Sequence, residues 1–361
     1  MPDERIRLLI IDDSAYNRKT IADFFAGNPD VDVVGKAADG QEGLRMALNL
    51  NPSVITLDLE MPRLDGFGFL RILMSGQPTP VIVVSSHGEK ETVFKALELG
   101  ALDFVVKPSA MISPAIHNIR DDVVQKVMAA SKFNLHALQS LSSGPSATGM
   151  MPIIPDPKSL TEVSLNQPAQ NIIVIGASTG GPATLTKVIN TLPPNLNGAI
   201  VIAQHMPAQF TATFAARLDR IFPLRVLELQ ERELMKNGSI YVCPGDSNLR
   251  FSRSVDGYWL EKEPLTKDCR YAPCIDRIFM SAAEVVQNNL LGIVLTGMGD
   301  DGTRGSKAIH DSGGSLVVES EETAVVYGMP QSVIEAGLPA KKRPLHMIAG
   351  AITAFCRDQS E

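Results

Sequence analysis

No stretch of this 361-residue sequence reaches the roughly 18 consecutive apolar residues of a membrane-spanning helix, and no early apolar run resembles a secretion signal. Basic residues are not in excess. Lys and Arg number 33 against 40 Asp and Glu, a net charge of −7, which argues against a nucleic-acid binder with its basic face. Cysteine is scarce, and Cys243, Cys269, Cys274 and Cys356 form neither a C-x-x-C pair nor a Cys/His zinc pattern. Unpaired thiols without a signal segment fit a reducing cytoplasm, and the four read as packing residues. What abounds is apolar. With 44% hydrophobic and 20% charged residues, the chain can fill the cores of two domains of about 150 residues each.

One stretch organises the rest: Asn171-Ile-Ile-Val-Ile-Gly176-Ala177-Ser178-Thr179-Gly180-Gly181-Pro182. Apolar β-formers end in a serine set among glycines, and a helix-forming segment follows. Strand, tight turn and helix is the context in which a G-x-S-x-G serine serves as a nucleophile. A dinucleotide fingerprint needs glycine where Ser178 stands. A Walker A loop needs lysine where Pro182 stands. Both phosphate-binding readings fail on a specific residue.

Over residues 1–133, five apolar runs alternate with amphipathic segments: Arg7–Ile11, Asp32–Lys36, Ser53–Leu57, Val81–Val84 and Asp103–Val106. This reads as a βα repeat with a parallel sheet, and helical spacing falls over Ala15–Gly27 and Gly40–Leu50. Ligands of such sheets bind beyond the carboxyl ends of the strands. Asp12 and Asp13, Asp58, Ser85 and Lys107 lie there. Three neighbouring carboxylates repel one another and call for a cation, and oxygen-only ligands favour Mg²⁺ over zinc or copper. A carboxylate beside Mg²⁺ and a lysine can accept a phosphoryl group. Taken singly, the acidic pair would be a helix cap and Lys107-Pro108 a surface loop.

Residues 5–125 resemble a response-regulator receiver domain, which implies a flavodoxin-like (βα)5 fold phosphorylated on aspartate. The resemblance rests on Asp12-Asp13, Asp58 within Leu57-Asp58-Leu59-Glu60-Met61-Pro62, Ser85 and Lys107-Pro108. It implies that Asp58 is the phosphoacceptor and that Asp12, Asp13 and Asp58, with the Glu60 carbonyl, hold Mg²⁺. It further implies that Ser85 and Lys107 contact the phosphoryl oxygens. Phe104 falls at an aromatic switch position, although a plain core phenylalanine would look the same.

A helix is expected over Met111–Phe133. From 134 to 170, Pro145, Pro152, Pro155 and Pro157 with intervening Ser and Gly preclude regular structure, so this stretch reads as a linker. It joins the first domain to a second at 171–361.

In the second domain Asn171–Ile175, Ala199–Ala203 and Gly292–Thr296 are continuous apolar runs, as in strands covered on both faces. Gly314–Glu319 and Thr323–Tyr327 are further expected strands. Asn248–Ser254 and Gly257–Glu263 alternate about Val255-Asp256-Gly257, the pattern of a β-hairpin. Helical spacing occurs at Ala208–Ile221, Ile275–Val286, Gly302–Asp311 and Leu345–Phe355. The expected fold is therefore α/β, with a doubly wound, mainly parallel sheet. Ser178 follows one strand, Gln204-His205-Met206-Pro207 the next, and Thr296-Gly-Met-Gly-Asp300-Asp301-Gly302 a third. A serine, a histidine and an aspartate thus gather where such a sheet builds its site, as a Ser-His-Asp triad requires. His310 and His346, both inside expected helices, read as structural. The chain order Ser, His, Asp differs from the Ser, Asp, His of α/β-hydrolases.

Residues 171–357 resemble the catalytic domain of the chemotaxis protein-glutamate methylesterases, the CheB family. The matching residues are Ile175-Gly-Ala-Ser-Thr-Gly-Gly-Pro182, Gln204-His-Met-Pro207 and Thr296-Gly-Met-Gly-Asp-Asp-Gly302. The resemblance implies Ser178 as nucleophile, His205 as general base and acid, and Asp301 as orienter. Met298 would supply an oxyanion N–H, with Thr179 adjoining the nucleophile. No cofactor is implied in this half. Arg270-Tyr-Ala-Pro-Cys-Ile-Asp276 resembles a family segment in which serine stands at Cys274.

Together the two resemblances imply a cytoplasmic, phosphorylation-activated esterase. It would demethylate glutamate methyl esters, and deamidate glutamines, on methyl-accepting chemotaxis receptors. A CheA-type histidine kinase would be the phosphodonor, and the resting receiver would block the esterase cleft. No nucleic acid and no membrane insertion are implied, and a monomer is the default. The alternatives are an esterase of this design in a non-chemotaxis receptor pathway, or a non-catalytic phospho-signalling module.

Overall fold

The computed structural model describes residues 5–85, 90–107, 116–129, 133–134, 137, 167–267 and 269–358. The chain divides into two compact units, Met1–Gly144 and Pro145–Glu361. Most of the expected linker over 134–170 lies outside the described residues, as do Pro108 and, of the helix expected over Met111–Phe133, residues 111–115 and 130–132.

The first unit runs β1 (Ile6–Ile11), α1 (Ala15–Phe24), β2 (Val31–Ala37), α2 (Gly40–Leu50), β3 (Val54–Leu57), α3 (Gly66–Gly76), β4 (Val81–Ser85), α4 (Lys90–Glu98), β5 (Asp103–Val106) and α5 (Ile116–Ala129). Its five strands lie in the order β2-β1-β3-β4-β5, all paired parallel. This is the flavodoxin-like order. The central strands are buried along their length, so they carry unbroken apolar sequence rather than alternation. Leu8, Ile10, Val54, Ile82 and Val105 pack under Ile21, Phe25, Val123 and Val127. Three helices start on side-chain caps: Ser14, Asp39 and Asp65 accept the N–H groups of Asn17, Glu42 and Gly68. Each cap satisfies one donor that a helix start otherwise leaves open.

The second unit continues with β6 (Ile172–Ala177), α6 (Gly181–Asn190), β7 (Ala199–Gln204), α7 (Ala208–Ile221), β8 (Arg225–Glu228), β9 (Arg232–Leu234), β10 (Ser239–Val242), β11 (Ser247–Ser254), β12 (Gly257–Pro264), α8 (Ile275–Val286), β13 (Leu290–Val294), α9 (Thr303–Asp311), β14 (Ser315–Glu319), α10 (Gly328–Glu335), β15 (Lys341–Arg343) and α11 (Leu345–Asp358). Seven strands form one parallel sheet, ordered β15-β14-β13-β6-β7-β10-β8. From β6 the chain moves one way to β7, and later returns on the other side to β13. The order therefore reverses between β6 and β13, and that crevice is where a doubly wound sheet binds its ligand. The expected hairpin is present as β11–β12, which with β9 makes a separate three-stranded antiparallel sheet.

Thr323–Tyr327 is not a strand. It contributes one isolated bridge, Gly297 to Tyr327, and the Val326 N–H donates to Thr296 Oγ1 at 2.9 Å instead of to a neighbouring strand. Ala324, Val325 and Val326 are buried, and a short buried apolar run carries no period that separates strand from loop. Strands β8, β9, β10 and β15 are not among the expected ones; each is at most four residues long, and β8, β9 and β15 carry charged residues where an apolar run would mark a strand.

Candidate functional site

The first unit gathers charge at the carboxyl ends of β1, β3 and β5. Carboxylate oxygens of Asp12, Asp13 and Asp58 all lie within 4.8 Å of one another. Lys107 Nζ stands 2.6 Å from Asp58 Oδ2 and 2.9 Å from Asp12 Oδ2. Asp12 and Asp58 are buried while Asp13 is exposed. Ser14, not the acidic pair, caps α1, and Asp12 Oδ1 accepts the Ser14 N–H at 2.9 Å. Asp12 Oδ2, although close to Lys107, receives no properly aligned hydrogen bond. An acidic oxygen so placed, beside two more carboxylates, fits a hard divalent cation with oxygen ligands. Burial raises the Asp58 carboxyl above the ordinary carboxylate value, against the opposing pull of Lys107. Burial alone would lower the Lys107 ammonium, but Asp58 and Asp12 more than offset it and raise it.

Ser85 ends β4, and its carbonyl accepts the Lys107 N–H at 2.7 Å. Ser85 and Lys107 are thereby adjacent. Phe104 is buried in β5, with Lys126 Nζ 5.6 Å from its ring centre. The Glu60 side chain is exposed, and its backbone N–H donates to the Asp58 carboxylate.

In the second unit, β6 delivers Ser178 to the crevice. Gly180 takes φ +76° at the start of α6, a left-handed conformation that glycine adopts without strain. At Gly181 a β-carbon would lie 2.0 Å from Gln204 Oε1. That space is filled by the Gln204 amide, whose Nε2 donates to the carbonyls of Ser178 at 2.9 Å and His205 at 3.0 Å. The two strand-end loops are thereby tied together.

Ser178 Oγ lies 3.1 Å from His205 Nδ1, and His205 Nε2 lies 2.8 Å from Asp301 Oδ2. The sequence-expected serine, histidine and aspartate are thus one hydrogen-bonded chain. With Asp301 ionised, Nε2 carries the proton and the Nδ1 lone pair faces the serine. The Tyr271 ring stacks on the imidazole, with centroids 4.8 Å apart and planes 18° from parallel. Asp301 is buried, and burial alone would raise its carboxyl. His205 and the backbone N–H groups of Asp276 and Ile275 outweigh that and hold it below the ordinary value.

The Thr296–Gly302 loop is fastened from behind. The Ser178 N–H donates to the Thr296 carbonyl at 3.0 Å, and Thr296 Oγ1 donates to the Thr179 carbonyl at 3.0 Å. The Thr296 N–H in turn donates to Glu319 Oε2 at 2.9 Å. Gly297 lets the loop approach the serine, since a β-carbon there would lie 2.8 Å from Ser178 Cβ and 2.2 Å from Met329 Sδ. Among the described residues, neither the Thr179 nor the Met298 N–H finds an acceptor.

Cys243, Cys274 and Cys356 are buried thiols, and Cys274 Sγ lies 3.9 Å from Asp301 Oδ1. Cys269 is half-buried and accepts from Asn248 Nδ2. His310 is exposed on α9. His346 lines a cavity of about 570 Å³ with Leu316, Arg343 and Phe355, and none of the three triad residues lines it. Sequence reasoning did not single out Tyr271 or Glu319. A tyrosine in a loop and a carboxylate at a strand end carry no periodic signal, and both reach the site only through tertiary contact.

Both halves of the chain are similar to known proteins. Residues 173–352 match the family model described as CheB methylesterase, and residues 8–113 match the response regulator receiver domain. The protein-glutamate methylesterase/protein-glutamine glutaminase 1 of Myxococcus xanthus is 41% identical, over 98% of this chain and 97% of that protein. The corresponding protein 3 of Geobacter sulfurreducens is 42% identical, over 98% of each. The crystal structure of the Thermotoga maritima CheB methylesterase catalytic domain is 37% identical, covering 51% of this chain and 98% of that one, with a TM-score of 0.49.

Proposed function

Because this chain belongs to the CheB methylesterase family, joined to a response regulator receiver domain, we propose that it removes methyl groups from glutamate γ-esters of methyl-accepting chemotaxis receptors. It releases methanol by a Ser178–His205–Asp301 mechanism. The observation that carries this reading is the unbroken hydrogen-bonded chain of 3.1 and 2.8 Å from serine to aspartate.

Ser178 Oγ attacks the ester carbonyl carbon while His205 Nδ1 takes the hydroxyl proton. The tetrahedral oxyanion is met by the N–H groups of Thr179 and Met298, which have no acceptor among the described residues. Preorganised donors of this kind typically contribute about 10²–10³ each in rate. Asp301 balances the imidazolium charge as it forms. When the C–O bond breaks, Nδ1 returns the proton to the departing methoxide, and methanol leaves. The same nitrogen then deprotonates a water, which attacks the acyl-serine carbonyl. Collapse frees the glutamate carboxylate and restores Ser178. A receptor glutamine follows the same path with ammonia as leaving group.

In the receiver, Asp58 accepts a phosphoryl group from a CheA-type histidine kinase. Asp12, Asp13 and Asp58, with the Glu60 carbonyl, hold Mg²⁺, which neutralises charge on the transferring phosphoryl group when bound. Lys107 and Ser85 hold the phosphoryl oxygens, and Phe104 reports occupancy through the adjoining surface. The unphosphorylated receiver restrains the esterase, and the new charge on Asp58 relieves the restraint. The protein works in the cytoplasm, where receptor tails and kinase are found. A doubly wound α/β unit with buried parallel strands supports the esterase, and a (βα)5 unit the switch.

The test is labelling with a fluorophosphonate and methanol release from methylated receptor membranes. The wild type should label at Ser178 and turn over, and Ser178→Ala and His205→Gln should do neither. Full turnover by Ser178→Ala would sink the mechanism.

A further inference from the structure

Outside the triad, the structure holds a reciprocal arrangement of two carboxylates and two helix starts. Asp301 lies just before α9, yet it accepts from the first turn of α8: Ile275 N–H to Oδ2 at 2.9 Å and Asp276 N–H to Oδ1 at 2.9 Å. Asp276 lies in the first turn of α8, yet it accepts from the start of α9: Gly302 N–H at 3.0 Å and Gly305 N–H at 2.8 Å, both to Oδ1. Asp276 Oδ2 takes Arg304 Nε at 2.7 Å. Each carboxylate thus seats on the positive end of the helix that carries the other, where unsatisfied N–H groups and the helix dipole favour an anion.

Close approach makes the exchange possible. Gly302 takes φ +98°, and a β-carbon on Gly305 would lie 2.4 Å from Phe279 Cβ and 2.9 Å from the Asp276 carbonyl oxygen. Both aspartates are buried, at 4% and 6% exposure. A side chain in that environment holds its geometry, because each lost bond leaves a buried donor unmet.

The two oxygens of Asp301 are accounted for. Oδ2 is shared by His205 Nε2 and Ile275 N–H, and Oδ1 is held by Asp276 N–H, with Cys274 Sγ 3.9 Å away on the same oxygen. The plane of the carboxylate that orients His205 is therefore fixed by the start of α8. The start of α8 is fixed to the 299–305 segment by the Asp276 side chain. We infer that Asp276 is a positioning residue for the esterase, locking the start of α8 to the Asp301 loop so that Asp301 meets His205 in line. Asp276 touches no reacting atom, and its effect reaches Ser178 through Asp301 and His205. The inference rests on the triad reading above.

The loss of this lock moves a group that must stay in line, and a displacement of about 1 Å at a site can cost roughly 10²-fold in rate. In the full-length protein, Asp276→Ala should lower kcat by roughly 10- to 100-fold and leave KM within about twofold, since orientation and not binding is lost. The low-field proton signal of the His205 N–H facing Asp301 should weaken in parallel. Asp276→Asn keeps an oxygen for Gly302 and Gly305, so it should restore most of both readouts. A purely structural role would lower the melting temperature and leave kcat and the proton signal in place. If the alanine variant does not fold, Asp276→Ser is read by the same criteria, as its single short hydroxyl cannot serve both glycines. A folded alanine or serine variant with wild-type kcat overturns the inference. Ser178→Ala is run beside them: if it retains turnover the triad reading itself fails, whereas an inactive Ser178→Ala beside a fully active Asp276→Ala refutes only the lock.

Discussion

Glu319, fully shielded from solvent at the end of β14, accepts the Thr296 backbone N–H through Oε2 at 2.9 Å. Thr323 Oγ1 donates to the other oxygen at 3.1 Å. Since the Thr296 carbonyl also takes the N–H of Ser178, a buried carboxyl stands two hydrogen bonds behind Ser178. Burial pushes this group up from 4.5 to about 7, against the two donors.

The sign of the resulting pH dependence follows from linkage. The folded value lies above the unfolded one, so the unfolded chain loses its proton first as pH rises. The stability Glu319 contributes is complete below pH 4.5 and is lost as pH rises to about 7. At 1.36 kcal/mol per unit, that loss is on the order of 3 kcal/mol. Glu319→Gln, which stays neutral, should show a flatter melting temperature between about pH 5 and pH 8 than the wild type. Parallel curves for the two proteins would remove the account.

Gly297→Ala should damage the esterase more than its size suggests. The added carbon meets Ser178 Cβ at 2.8 Å and Met329 Sδ at 2.2 Å, and both are packed. A cost of about 1–3 kcal/mol in stability is expected from overpacking, with kcat down roughly 10-fold or more as the serine shifts. Denaturant melts and methanol release measure the two effects separately.

In the receiver, acetyl phosphate with Mg²⁺ should add one phosphoryl group at Asp58, visible by intact mass. Asp58→Asn and chelation with EDTA should each abolish it. Stoichiometric labelling of Asp58→Asn would move the acceptor to Asp12 or Asp13, which share the cluster.

Restraint of the esterase by the receiver predicts a gain on truncation. Removing residues 1–144, the first compact unit, should raise the basal rate of methanol release by about 5- to 150-fold, the usual span of a coupling free energy. A basal rate unchanged or lower would show that the receiver does not hold the esterase down.

Much of the fold is legible in the sequence because buried parallel strands carry continuous apolar runs. Ile172–Ala177 and Ala199–Gln204 are buried at every residue, so their continuous apolar runs point to strand ends, and the strand ends point to Ser178 and His205. The same logic failed at Thr323–Tyr327, where three buried apolar residues pack without joining the sheet. It was silent on Lys341–Arg343, whose sequence has no apolar residue at all. Asp276 illustrates a different limit. Local sequence reads it as an acidic residue in a first turn, a common helix-start feature. Its partners Gly302, Arg304 and Gly305 lie more than two dozen residues away and become visible only when two helix starts meet.

The Lys341–Arg343 strand has one more consequence. Among the described residues it pairs on one side only, with β14, and so forms an edge of the seven-stranded sheet. An unpaired edge invites a foreign strand, and runs of like charge are one way that proteins discourage it. Lys341 and Lys342 are exposed, and a second copy arriving edge to edge would set cation against cation. Chain-to-chain sheet growth, the first step toward fibrils, is opposed at this edge.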